Sequence, residues 1–184
     1  QFRLSENFTL NAGLHAQYFS LNEAFVAEPR ASLTWQLAKA HSITFGYGLH
    51  HQNVPAPILF LNENVNGTNV QANRDLDLVR SSHYVLGYDL RPGTGWRAKI
   101  EAYYQDITNA AVDANSTSYS SLTEGSDFIF SFDKLNLVSE GVGHNYGLEL
   151  TIEKFLSNGW YSLATASLFE AKYEGIDGIE RNSP

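Results

Sequence analysis

The stretch Gly141–Tyr173, GVGHNYGLELTIEKFLSNGWYSLATASLFEAKY, decides the fold. In its first half Val142, His144, Tyr146, Leu148, Leu150 and Ile152 share one parity. Gly143, Asn145, Gly147, Glu149, Thr151 and Glu153 share the other. Successive side chains of a strand point to opposite faces, so this run has one apolar face and one small or charged face. Leu156-Ser157-Asn158-Gly159 then predicts a tight hairpin turn, because Asn-Gly accepts the positive φ values of a two-residue loop. Both flanking runs exceed ten residues, against about five or six for an ordinary strand. That excess length points to an unusual solvent.

The same alternation recurs along the chain. Phe8–Phe19 sets Phe8, Leu10, Ala12, Leu14, Ala16 and Tyr18 against Thr9, Asn11, Gly13, His15 and Gln17. A loop carrying Glu23, Glu28 and Pro29 is expected next, then a strand over Arg30–Leu37 and another over Ser42–Gln52. A long polar connection follows, from Asn53 to about Leu76. Strands are predicted over Val79–Leu90 and Trp96–Gln105, joined by the turn-forming Arg91-Pro92-Gly93-Thr94-Gly95. A second long connection runs from about Asp106 to Glu140, with a short hairpin expected around Phe128–Phe132. After the two strands of the opening stretch, the chain ends in a polar segment, Glu174–Pro184.

Composition narrows the function classes. The chain has 184 residues, no cysteine and no methionine, so neither disulfides nor thiolate chemistry is available. A net charge of −8 argues against nucleic acid as a partner, since phosphate binding needs a basic surface. No run approaches the roughly eighteen apolar residues of a membrane-spanning helix. Aromatic residues make up 13% of the chain beside 14 glycines, a mixture that suits strands. Without an initiating methionine, the chain reads as a piece of a longer polypeptide.

The connections alternate in length: short turns fall at one end of the strands and longer loops at the other. With antiparallel strands of about ten residues, this is the pattern of an outer-membrane β-barrel. The fold class expected is therefore all-β, an antiparallel up-and-down arc of a large transmembrane barrel, with residues 1–184 forming part of one barrel domain. Arg97, Lys99 and Glu101 share one face of one strand, which is costly in a dry core and comfortable in a wet lumen. Trp35, Trp96, Trp160 and Tyr161 lie near the short-turn end, where an interfacial aromatic girdle belongs. A soluble sandwich gives the same alternation but not the strand length or the one-sided loops. Seven long strands is an odd number, and an open edge is not tolerated in hydrocarbon, so the arc is expected to continue into a larger barrel.

With the strands placed, six segments resemble successive strands of TonB-dependent outer-membrane receptors, most closely the large Bacteroidetes members. They are EPRASLTWQ (28–36), HSITFGYGLHHQ (41–52), SSHYVLGYD (81–89), EAYYQ (101–105), NYGLELTIEK (145–154) and SLFEAKY (167–173). The resemblance implies a 22-stranded barrel with a plugged lumen. It also implies uptake of a scarce small nutrient, with energy delivered by the inner-membrane TonB complex through the plug. The plug and the barrel termini are expected outside this chain. Outer-membrane lipid is the implied surroundings, and a surface lipoprotein is a further candidate partner. Two alternatives stay open: another outer-membrane barrel, a porin or a barrel enzyme, and a soluble β-sandwich binding module.

Chemistry-bearing motifs are scarce. No nucleophile elbow, zinc-protease motif or phosphate-cradling loop occurs, so no catalytic residue, metal site or cofactor is expected. His50 and His51 are adjacent and point to opposite faces, which disfavours joint ligation. Glu149 and Glu153 are two strand steps apart and read as polar lining. Asp113, Asn115, Glu174, Asp177 and Glu180 are oxygen donors of a kind calcium uses, but read better as solvated loop acids. Asn66-Gly67-Thr68 and Asn115-Ser116-Thr117 fit a glycosylation pattern that has no role in a bacterial envelope. A ligand should touch the long loops and upper lumen, where the candidates are Asn53, Asn62, Asn64, Asn73, Arg74, Tyr103, Gln105, Tyr119 and His144.

Overall fold

The computed structural model describes residues 1–116, 119–123, 136–157 and 159–183, apart from the side chains of Glu63 and Val65. The expected hairpin around Phe128–Phe132 lies outside them. Along the chain run β1 (Phe2–Arg3), β2 (Phe8–Phe19), β3 (Ala24–Ala38), β4 (His41–Gln52), helix α1 (Ala56–Leu59), β5 (Glu63–Val65), β6 (Thr68–Val70), β7 (Val79–Gly93), β8 (Trp96–Asp113), β9 (Leu137–Ser157), β10 (Trp160–Glu174) and β11 (Glu180–Asn182). All but β5 and β6 form one sheet, in the order β1-β2-β3-β4-β7-β8-β9-β10-β11. Every pairing in it is antiparallel. Neighbours in sequence are neighbours in space, as an up-and-down wall requires. Seven of its strands are long.

Register carries each parity across the whole wall. Leu10 faces Leu33, Leu33 faces Phe45, Phe45 faces Leu86, Leu86 faces Ala102, Ala102 faces Leu148, and Leu148 faces Leu168. No second sheet of the described residues covers this row: Leu148 keeps 49% of its surface and Leu150 41%. An aliphatic face this broad without a protein cover is what lipid tails complete. The soluble sandwich therefore has no counterpart here.

Aromatic rows bound the apolar band. Tyr47, Tyr84, Tyr104 and Tyr146 stand opposite one another across β4, β7, β8 and β9. Towards the short turns, Trp35 stacks on Phe8 at 5.6 Å and Trp96 meets Trp160 edge-on at 6.0 Å. Trp96 lies eight positions below Tyr104 on β8. At about 3.3 Å per residue and a tilt of about 40°, that separation spans roughly 20 Å along the membrane normal, close to the usual height of a barrel's apolar band.

Three strands run further than the alternation predicts. Glu28 and Pro29, expected in a loop, lie within β3, where Pro29 pairs with Leu14. The β3–β4 ladder ends one residue away at Arg30 and Gly48, so the ladder continues past a residue that lacks an N–H only on the β2 side. β8 continues to Asp113 and β9 begins at Leu137, a paired extension above the band that bulges between Ile107 and Val112. Its residues Ile107, Ala110, Ala111 and Val112 are all buried. With both faces covered, the period-two signal disappears.

The cover is a small hydrophobic core at the long-loop end. Val54, Ile58, Leu59, Leu76, Ala111, Tyr119 and Leu137 pack together, with Phe19, Leu21 and Val79 against them. The first long connection, expected as a plain polar loop, supplies α1 and the β5–β6 hairpin. Asn66 and Gly67 take φ of 53° and 85°, the backbone of a two-residue hairpin turn. Gly159, at φ 81°, fills the corresponding position between β9 and β10.

The face assignment makes a prediction for the full-length protein. Leu150→Arg, mid-band on the outer face, should cost about 2–4 kcal/mol, and Thr151→Arg, one residue on but facing inward, far less. Equilibrium unfolding from lipid vesicles measures both; equal costs would refute the assignment.

Candidate functional site

The polar face of the wall is built by the small and charged parity of each strand. At its lower level, nearest the short turns, charges pair across strands. Arg97 Nε donates to Asp89 at 2.6 Å, Arg91 reaches the same carboxylate at 3.2 Å, and Arg97 lies 3.5 Å from Glu153. Lys99 pairs with Glu101 at 2.6 Å on its own strand. Glu149 stands opposite Glu101 in this lining. Such pairs are stable only where water or other polar groups can reach them.

Higher up, the charges give way to neutral donors and acceptors. Gln105 Nε2 donates to Ser81 Oγ at 2.8 Å and to His83 Nε2 at 2.9 Å, while its Oε1 accepts from Asn145 Nδ2 at 3.0 Å. Both ends of one amide thus tie β7, β8 and β9 together. The His83 ring lies 4.9 Å from that of His50 on β4. The sequence juxtaposes His50 with His51, but the fold pairs it with His83 instead. A concavity of about 420 Å³ opens here, lined by Asn11, Arg30, Ser32, His50 and His83 among others. Its neighbour is lined by His83, Glu101, Tyr103, Gln105 and Glu149.

Glu28 closes this face at the level of the β2–β3 turn. Only 3% exposed, its carboxylate accepts from His15 Nδ1 at 2.9 Å, from Arg30 at 3.2 Å and from the backbone N–H of His51. One buried acid therefore joins β2, β3 and β4. The sequence places it in the loop expected around Glu23, Glu28 and Pro29, whereas it lies within β3.

The candidate residues separate into three groups. Tyr103 and Gln105 are on the polar face, with the Tyr103 hydroxyl lying over Gly147. Asn53, Asn62, Asn64 and Arg74 are exposed on the first long connection, where Asn64 Oδ1 accepts the Gly67 N–H at 2.9 Å. The others are placed differently. Asn73 is 0% exposed: its Nδ2 donates to the Ile58 carbonyl at 3.3 Å and its Oδ1 accepts the Leu137 N–H at 2.9 Å, fastening the loop to β9. Tyr119 is buried in the rim core. His144 is on the outer face, bonded to the Tyr104 hydroxyl at 3.1 Å and beside Asp106 at 3.2 Å, because it shares the parity of Leu148. Polarity alone did not distinguish these three from true lining residues. Ser81, His83 and Asn145, which the sequence reading did not select, become visible only once register places them around Gln105.

Among the described residues no group of three or more His, Asp or Glu side chains could hold a metal ion. Asp177 is taken up by Arg181, at 2.6 and 2.9 Å, and by the Ile179 N–H.

The comparison that decides the family covers nearly everything. The sequence matches the β-barrel of the TonB dependent receptor-like proteins along residues 1–183. The chain belongs to that family. Its place is accordingly the outer membrane. Solved structures with the same fold include the ferric-catecholate import receptor Fiu of E. coli (TM-score 0.66, 12% identity), covering 96% of this chain and 28% of that one. The alcaligin outer-membrane receptor FauA of Bordetella pertussis gives 0.61 and 16%, covering 99% and 30%. The FrpB iron transporter of Neisseria meningitidis gives 0.58 and 13%, covering 95% and 25%. The chain thus spans no more than about a third of these receptors. No curated protein sequence matches it.

Two predictions follow from the geometry of this TonB dependent receptor-like barrel segment. A Cβ at Gly147 would meet Phe169 Cβ at 2.8 Å, the Tyr103 hydroxyl at 2.9 Å and the Leu168 carbonyl. Gly147→Ala should therefore destabilise the full-length barrel by about 1–3 kcal/mol, whereas Gly13→Ala, with nothing within 4 Å, should be nearly neutral. Thermal unfolding in detergent separates them. At the rim, the Arg181 guanidinium holds the Asp177 carboxyl down to about 2. A lowered folded-state value means that the pair's contribution is complete above the ordinary carboxylate range and is lost as pH falls towards 2. Amide hydrogen exchange in residues 175–183 should stay protected at pH 4 once the intrinsic rate is corrected for; loss of protection there would contradict the pairing.

Proposed function

We propose that the full-length protein is an outer-membrane receptor that takes up a small nutrient against its gradient, without catalysis, and that this chain supplies part of its barrel wall and extracellular rim. The observation that carries this reading is the family match along residues 1–183, on a wall whose apolar parity is uncovered and whose polar parity is hydrogen-bonded across strands. The wall is an arc of a closed barrel of about 22 strands, the size class of plugged transporters. A plug domain elsewhere in the protein couples to the inner-membrane TonB complex.

The ligand meets the exposed rim residues Asn53, Asn62, Asn64 and Arg74 first, then Tyr103 and Gln105 in the upper lumen. Asn73, Tyr119 and His144 act indirectly, through the rim core and the outer surface. Amides, hydroxyls and imidazoles dominate this path, which suits an oxygen-rich ligand. The structural neighbours include an iron transporter and a ferric-catecholate import receptor, and a ligand of that kind is consistent with the same groups. Membership of the large Bacteroidetes branch, and with it a surface lipoprotein partner, is part of this reading and rests on the six strand segments.

The test is uptake by cells that depend on the full-length gene for a scarce nutrient. Ligand binding to intact cells should survive a protonophore, while accumulation should cease with it or with loss of TonB. Accumulation that persists without an energised inner membrane would identify a passive pore instead.

A further inference from the structure

Lys154 is a buried cation with no counter-ion among the described residues. It sits on β9 at the short-turn end, with the outward parity of Ile152, and is only 7% exposed. Trp96 and Trp160 enclose it, with the ammonium 5.9 Å and 5.1 Å from their ring centres. Of its three N–H groups, one donates to the Phe155 carbonyl at 3.1 Å. Among the described residues it makes no ion pair, and its neighbour Glu153 faces the lumen, where Arg97 engages it. Gly95 brings the β7–β8 turn against the ammonium: a Cβ there would stand 3.3 Å from Nζ.

Buried charges are ordinarily paired, because an isolated ion loses more hydration than a carbonyl and two indole faces return. Even the less buried cations Arg91, Arg97, Lys99 and Lys172 of the wall are ion-paired. The described residues thus leave this ammonium to an anion from outside them. On an outward face, at the level of the lower tryptophans, the anion available is a lipid headgroup. We propose that Lys154, Trp96 and Trp160 form a binding site for the phosphate of a glycerophospholipid in the leaflet at the short-turn end. The ammonium donates its two remaining N–H groups to phosphate oxygens, and the indoles pack against the glycerol and upper acyl segments. Lysine suits this role as a compact point charge.

The experiment uses the full-length receptor, delipidated in detergent and titrated with dioleoylphosphatidylglycerol, with binding read by native mass spectrometry. One phosphatidylglycerol should bind tightly, and Lys154→Gln should weaken it by about ten- to a hundredfold, the range a charge-assisted hydrogen bond commands. Lys154→Arg should largely restore it, and Lys99→Gln in the lumen should leave it unchanged. Folding of each variant is checked by heat-modifiable migration on gels. The wild-type protein alone supplies two further arms: dioleoylglycerol, which lacks the phosphate, should not occupy the site, and millimolar inorganic phosphate should not displace the lipid. Equal affinity in Lys154→Gln and wild type, or equal occupancy by dioleoylglycerol, would overturn the proposal. Displacement by inorganic phosphate would assign the site to a soluble anion instead.

Discussion

In hydrocarbon no water is present to satisfy a backbone N–H or C=O, and each one left unpaired costs several kcal/mol. An extended chain meets this demand only by giving every strand a neighbour on each side. The consequences here are the unbroken order of the sheet, its uniformly antiparallel pairing and the strict transmission of parity from β2 to β10. Once parity is fixed, the two faces acquire separate chemistries. The outer one needs only to be apolar and of the right height, and the inner one is free to carry acids, bases, amides and glycines.

This constraint also explains what could be read from the sequence. Wherever one face meets lipid and the other water, alternation is clean, and the bounds of β2, β7 and β10 were legible to within a few residues. Legibility failed where the surroundings changed. Ile107–Val112 reads as irregular because the rim packs on both sides of it. Glu28-Pro29 reads as a turn by composition, yet Glu28 is held within β3 by partners from two other strands. The candidate site fared similarly. Tyr103 and Gln105 were legible from parity on the charged strand β8. Asn73 was not, since an amide that fastens a loop and an amide that greets a ligand have the same side chain. His83, Ser81 and Asn145 needed register, which brings together residues 64 positions apart in the sequence.

The two levels of the inner face differ in kind. Near the short turns, opposite charges form fixed pairs in which most groups already have a partner. Nearer the rim, the Gln105 amide, two imidazoles and the Glu28 node leave a concave surface of hydrogen-bonding groups with modest charge. A ligand moving inward would therefore exchange one neutral contact for another before it meets the ion-paired zone. This gradient of polarity is consistent with the uptake proposed above.

The cluster of Val54, Ile58, Leu59, Tyr119 and Leu137 gives the molecule a second, independent currency of stability. The wall is held by a solvent of acyl chains and backbone pairing, so bilayer thickness and detergent tail length govern it. The rim is a miniature water-soluble domain with an ordinary oily interior, governed by urea, temperature and kosmotropic salts. The two regions can accordingly melt under different stresses, and an intact barrel is no proof that its extracellular crown is folded.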